Sequence, residues 1–205
     1  MDKWVSTNER RNDIIGKVAI VLREQRATAT NIESAVDKAG ISREAVMVTF
    51  GSMHGLILEM VSDLSRAAMR PLKEHLDGRA VPDVLIAFGS SLVDIYCVSH
   101  LVALYRIAVT EATRHSGIGR EFYERGPGRI TICLAQYLEY SSRRFDRWRI
   151  DNPRRVADSF LSLLGDQLEL FDAITPARTL SSSDQRSAVV DAVELVCRGM
   201  AAEGQ

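Results

Sequence analysis

Glu111 and His115 stand four residues apart, a spacing that puts both on one face of a helix where they could share a metal ion. Spacing supplies no third ligand, because the four histidines, His54, His75, His100 and His115, form no H-E-x-x-H arrangement. Gly117-Ile118-Gly119 and Gly126-Pro127-Gly128 lack the strand context and the Lys-Ser/Thr ending of a phosphate loop. No Ser or Cys occupies a nucleophile elbow. The expectation is a chain with no catalytic residues, no metal and no cofactor. A different chemistry suits Arg43, Glu44, Met47 and Thr49, which fall on the outward side of a short helix. Arg43 can bond guanine or a phosphate, Thr49 a phosphate or the thymine methyl, and Glu44 can accept from the cytosine amino group.

Two short helices must position those side chains. Thr30 with Glu33 forms a capping box, in which the hydroxyl takes a free amide hydrogen and the carboxylate reaches back. Ile32, Ala35 and Val36 then form the buried side of a helix ending at Lys38 or Ala39, with Gly40 as a left-handed cap. Ser42 caps the second helix, which turns Ala45, Val46 and Phe50 inward. Two short helices about a glycine turn make a helix-turn-helix over about residues 31–50, whose second helix can enter the DNA major groove. A helical hairpin with no partner satisfies the same spacing.

The remaining pattern is helical too. Ile14, Ile15, Val18, Ala19 and Leu22 share one face of a helix ending near Arg26. Leu56, Met60, Val61, Leu64 and Ala68 repeat it from about Ser52, and Pro71 should end or kink that helix. Pro82 and Asp83 suit a new first turn, followed by Leu85, Phe88, Leu92, Ile95 and Tyr96. Helical spacing continues over residues 101–115, 118–123, 129–145 and 154–174, and a last helix begins near Ser182. Gly126-Pro127-Gly128 and Asp151-Asn152-Pro153 read as turns. No alternating strand is present, so the predicted fold is all-α, with nine or ten helices.

Composition limits the possible partners. A chain of 205 residues, 46% hydrophobic and 26% charged, suits one globular domain or a small domain joined to a larger one. Lys plus Arg is 26 and Asp plus Glu is 27, a net charge of -1, so any nucleic-acid surface must be local. Residues 1–50 carry eight Lys/Arg and seven Asp/Glu, a net of +1 and a poor basic footprint. Arg143, Arg144, Arg147, Arg149, Arg154 and Arg155 against Asp146 and Asp151 give +4, expected as a solvated turn bridging to a partner subunit. Cys97, Cys133 and Cys197 are odd in number and widely spaced, which suits buried thiols in a reducing cytoplasm. Apolar runs such as Leu101-Val102-Ala103-Leu104 are far short of the ~20 residues of a span, so no membrane is expected and the location is cytoplasmic.

The segment from Ala39 to Leu56 resembles the TetR (tetracycline-repressor-like) family of bacterial regulators, whose signature runs roughly T-x-x-x-I-A-x-x-A-G-V-S-x-x-x-L-Y-x-x-F-x-S-K-x-x-L. Ala39-Gly40-Ile41-Ser42, Val46, Phe50, Ser52 and Leu56 fall in register with it. Leu104-Tyr105-Arg106-Ile107-Ala108-Val109-Thr110-Glu111-Ala112 and Glu121-Phe122-Tyr123-Glu124-Arg125-Gly126 are similar to helices of one C-terminal subclass. So is Val193-Glu194-Leu195-Val196-Cys197-Arg198-Gly199-Met200, and the likeness covers most of the chain.

The resemblance implies a DNA-binding domain at 1–52, a connecting helix at 53–76 and an effector-binding, dimerising domain at 77–205. It implies a homodimer through helices about 129–145 and 154–174. In the second of these, Phe160, Leu161, Leu163, Leu164, Leu168 and Phe171 make a wider apolar surface than one core stripe needs. The expected function is a ligand-responsive regulator, a repressor released from a double-stranded DNA operator by a small hydrophobic or aromatic effector. Thr30, Ser42, Arg43, Glu44, Met47, Thr49 and His54 are its candidate DNA contacts. Phe88, Tyr96, His100, Tyr105, Glu111 and Tyr123 are its candidate effector contacts. Three departures stand out: Met47 and Met53 occupy the family's phosphate-contacting Tyr and Lys positions, and Glu44 its usual Gly. Neither Met can neutralise a phosphate, so contacts could shift to Arg10, Arg11, Lys17, His54 and the Thr30 hydroxyl. The alternative is a dimeric ligand-binding or protein-interaction module of this fold with weakened or lost DNA binding.

Overall fold

Apolar residues at helical spacing become eleven helical segments among the residues that the computed structural model describes: 2–25, 31–74, 78–98, 100–113, 117–168 and 182–201. They are α1 (Asp2–Glu24), α2 (Ile32–Lys38), α3 (Arg43–Phe50), α4 (Met53–Ala68), α5 (Arg70–Glu74) and α6 (Val81–Val98). Then come α7 (Leu101–Ala112), α8 (Ile118–Arg125), α9 (Pro127–Arg144), α10 (Pro153–Leu168) and α11 (Ser182–Met200). Only Met69 separates α4 from α5, so the two count equally well as one bent helix, giving the expected ten. Pro71 causes the break: it has no amide hydrogen for the carbonyl of Ala67, which instead accepts from the Ser91 hydroxyl at 3.4 Å. Pro127 and Gly128, expected in a turn, instead open α9, because a proline loses no hydrogen bond in a helix's first turn. The described residues contain no strand, only an isolated bridge between Trp148 and Ala201. No single described helix is long and apolar enough to cross a membrane.

The chain divides into two compact units. The first comprises Met1–Leu64 and Val98–Gly126. Here α1 packs on α2, α3 and α7, and α7 packs on α8. Ile14, Val18 and Leu22 of α1 meet Ile32 and Val36 of α2, Val46 of α3, Leu56 and Met60 of α4, and Leu104 and Ile107 of α7. Each such side chain contributes about 1.5–3 kcal/mol by leaving water. Arg11 pins α1 to α4 by pairing with Glu59 and with Asp63, the latter at 3.2 Å.

The second unit comprises Ser65–Cys97 and Pro127–Gln205. Its core joins α6, α9, α10 and α11 around Phe88, which stacks on Phe160 at 6.2 Å between ring centroids. Gly89 permits this packing, because a Cβ there would lie 2.8 Å from Val189 Cγ1. Cys133 and Cys197 are half-buried against this core, and burial pushes both thiols up. The units cut across the boundaries drawn from sequence. Residues 98–126 pack with the N-terminal helices, since the face of α7 bearing Ala103, Leu104, Ile107 and Ala108 completes their core.

Candidate nucleic-acid interface

Asn31, not Thr30, caps α2. Its extended backbone lets the side-chain oxygen accept from the Ser34 amide at 2.7 Å, and Asn ranks at the top of N-cap preference. Thr30 lies outside the described residues. At the other end, the Ile41 amide donates to the Val36 carbonyl and the Gly40 amide to that of Asp37, both at 3.1 Å. That pair of bonds is a Schellman motif, and it requires the left-handed φ of +70° that Gly40 adopts. Ile41 and Val36 pack in the same cluster, the apolar contact that accompanies the motif. The chain is thereby turned onto Ser42, whose hydroxyl accepts from the Ala45 amide at 3.1 Å and opens α3.

Beyond α3 lies a second turn, at the helix start expected near Ser52, whose caps the sequence analysis did not assign. Gly51 closes the helix at φ +76°, and the Ser52 hydroxyl caps α4 by accepting from the Gly55 amide at 2.8 Å. A Cβ on Gly55 would sit 2.1 Å from the Phe50 carbonyl oxygen. The available signal was the pair of glycines flanking a serine, as in any capped turn.

Val46 is fully buried and sets the rotation of α3. Arg43, Glu44, Met47 and Val48 are exposed, Met47 at 53% and Val48 at 72%, while Thr49 is half-buried. Val48 therefore joins the outward face, because residues 44, 47 and 48 lie on one side of a helix with 3.6 residues per turn, whereas 49 has turned toward the core. Arg43 does not pair with Glu44. Its guanidinium lies 3.1 Å from Glu33 and 3.9 Å from Asp37 on α2, with all three side chains more than half exposed. Such a surface pair is worth about 0–1 kcal/mol, little enough to be exchanged for a phosphate or a base edge.

The groups expected to compensate for the two methionines are largely engaged elsewhere. Arg11 is held by α4, and Lys17 lies 2.8 Å from Asp13. Met53 is half-buried against the core. His54 Nε2 lies 3.5 Å from Glu111 Oε2, in a cleft of about 150 Å³ shared with Asn31, Ile32, Glu33 and Met53. A candidate DNA contact thus meets a candidate effector contact. Glu111 faces His54, while His115 lies outside the described residues.

The six candidate effector residues are divided between the two units. Phe88 and Tyr96 belong to the second unit and the other four to the first. Phe88 is a core residue. Tyr96 lines a cavity of about 300 Å³ among α6, α9 and α10, with Leu92, Ile130, Thr131, Leu161 and Ser162. His100 Nε2 is buried with no hydrogen-bond partner, and burial, aided by the Arg23 charge, brings the imidazole pKa down to about 4. Tyr105 is partly exposed with its ring edge-on to Phe122, and Tyr123 is 53% exposed.

Two capped helices about a Schellman turn, the second presenting an exposed face beside a loosely held arginine, define a helix-turn-helix protein. The profile of the AefR-like transcriptional repressor C-terminal domain matches residues 83–200. The chain belongs to the TetR family of transcriptional regulators. Among solved structures, it is similar to a protein of Mesorhizobium loti MAFF303099 assigned to that family, with TM-score 0.76 and 18% identity over 96% of this chain and 98% of the other. It is also similar to the flavonoid-responsive regulator FrrA, with TM-score 0.68 and 20% identity over 96% of this chain and 100% of that one. A TetR transcriptional regulator from Agrobacterium tumefaciens gives TM-score 0.68 and 22% identity over 95% of each chain. Among curated proteins there is no significant sequence match.

Proposed function

We propose that this chain is a homodimeric, ligand-responsive repressor acting in the cytoplasm. In this reading it holds a double-stranded operator through paired α3 helices and releases it when a small hydrophobic effector binds. The observation that carries it is the outward face of α3, with Glu44, Met47 and Val48 free of the core and Arg43 tied only by exposed carboxylates. Ser42 would fix the helix start over the phosphates, with Thr49 at the edge of the contact. Two such helices about one DNA turn apart, roughly 34–36 Å, would read half-sites. Ile132 and Tyr140, exposed eight residues apart on α9, support self-association on that helix. By contrast Phe160 and Leu164 of α10 are spent on their own core, and Phe171 lies outside the described residues.

The cavity beside Tyr96 is a candidate for the effector, which could release DNA only through its differential affinity for the two dimer arrangements. The engagement of Arg11 and Lys17, together with the acidic Glu33, Asp37 and Glu44 near the reading face, favours one competing account, a dimeric module that has lost operator binding. A mobility-shift assay on DNA from upstream of the chain's own gene separates the two. Sequence-selective retardation weakened at least about tenfold by Arg43→Ala supports the repressor. No retardation even at low salt supports the module.

A further inference from the structure

At 72%, Val48 of α3 is the most exposed large apolar side chain among those described. The core does not account for it. Val46 anchors α3, with Ala45 and Phe50 packed at the margin of the same cluster. A β-branched residue on the open side of a helix lowers helix propensity and adds no packing. Beside Val48 stand Met47, 53% exposed, and one turn earlier Glu44. These three side chains offer a carboxylate acceptor and two apolar groups, and no hydrogen-bond donor. Arg43, at the edge of the face, is turned to Glu33 at 3.1 Å.

We propose that Val48 is a specificity-determining residue that reads the methyl group of a thymine, with Glu44 taking the amino group of a cytosine one or two base pairs away. The thymine methyl is the apolar group that base edges present in the major groove, so it is the natural partner of a side chain without polar atoms. A carboxylate only accepts; cytosine N4 satisfies it, and the O6 and N7 acceptors of guanine repel it. Glu44 and Val48 are separated by about 6 Å of helix rise against about 3.4 Å per base pair, which sets the spacing of the two contacts. The reading face is also rigid. The Ser42 hydroxyl accepts from the Ala45 amide at 3.1 Å at one end of α3, and the Gly51 amide donates to the Met47 carbonyl at 3.0 Å at the other. Valine has one strongly preferred rotamer in a helix, so its contact forms with little loss of freedom. Unbranched Met47 can adapt to the space beside it. None of the three carries a positive charge, so they select a sequence rather than attract DNA. The assignment rests on the repressor reading, because Val48 meets a base only when α3 lies in the groove.

Duplexes selected from a random library with the full chain, then titrated by fluorescence anisotropy at one salt concentration, provide the test. Each thymine of the half-site is replaced singly by deoxyuridine, which removes only the methyl group. At one position per half-site this should weaken wild-type binding about fourfold, and about fifteenfold when both half-sites are changed. Val48→Ala should bind the thymine and deoxyuridine duplexes equally, so a methyl effect that acts through DNA shape is told apart from contact. Val109→Ala, the same change at an exposed valine of α7, should keep the wild-type difference. At the neighbouring base pair, wild type should prefer cytosine to guanine by at least about tenfold, and Glu44→Ala should lose most of that preference. Circular dichroism of each variant verifies that it is folded. A duplex that is bound selectively but is indifferent to the loss of every methyl overturns the assignment and leaves the repressor reading standing. So does a methyl effect undiminished in Val48→Ala, or a cytosine preference unchanged in Glu44→Ala. Failure to select any duplex overturns both.

Discussion

The Nε2 atom of His100 is buried without a partner, and the nearby Arg23 charge adds to the cost of protonating it. An imidazole in that position is neutral in the folded chain down to about pH 4 but takes up a proton near pH 6.5 once unfolded. The folded-state pKa is the lower one, so the unfolded chain binds the extra proton. The stabilisation is complete above pH 6.5 and is lost as pH falls towards 4, where it levels off. At pH 5 the loss is about 2 kcal/mol. Urea unfolding at pH 7.5 and pH 5 should therefore show a larger decrease for the wild type than for His100→Gln; equal decreases would remove the buried imidazole from the account. Such a residue is a poor effector anchor as it stands, and sequence could not reveal this, because a histidine at a helix start looks alike buried or exposed. Ser42 and Gly40 were legible for the opposite reason: their roles are settled by bonds to residues one to four positions away.

At the scale of elements, the junction of α3 and α4 sets the direction in which the outward face of α3 is presented. Gly55 lets the two helices close on each other, since its missing Cβ would fall 2.1 Å from the Phe50 carbonyl oxygen, a backbone atom that cannot swing aside. Gly55→Ala should cost about 2 kcal/mol or more and lower Tm by several degrees, roughly 2–4 °C per kcal/mol for a chain of this size. Gly16→Ala in α1 is the matched control. Nothing lies within 4 Å of its added Cβ, and helix propensity favours alanine by about 1 kcal/mol, so Tm should hold or rise. Equal Tm for Gly55→Ala and wild type would show that the junction relaxes freely. Helices themselves were readable because the spacing of Ile14, Val18 and Leu22, or of Leu56 and Met60, marks an apolar face. What covers that face was not readable. The 3.6-residue period says that α7 buries Leu104 and Ile107 but not that α1 and α4 receive them, so residues 98–126 were allotted to the other domain.

For the molecule as a whole, a net charge of -1 means that DNA affinity must come from a few well-placed cations rather than a general positive field. Arg11 is tied to α4 and Lys17 to Asp13; of the exposed cations on the described residues of α1 and α3, Arg23 lies at the far end of α1 near His100, which leaves Arg10 and the loosely held Arg43 for DNA. Two per protomer make four in a dimer, so log K against log salt should fall with a slope of about -4. Met47→Tyr would add a neutral hydroxyl donor per protomer without displacing a counterion. Operator affinity should rise about three- to tenfold while the slope stays the same. Met53→Lys places its ammonium in the cleft lined by Glu33 and Glu111, which should hold it away from DNA and leave the slope near -4 as well. Filter binding across a salt series measures all three proteins. A wild-type slope steeper than about -6 would mean that basic groups now paired within the chain are released to the phosphates when DNA binds.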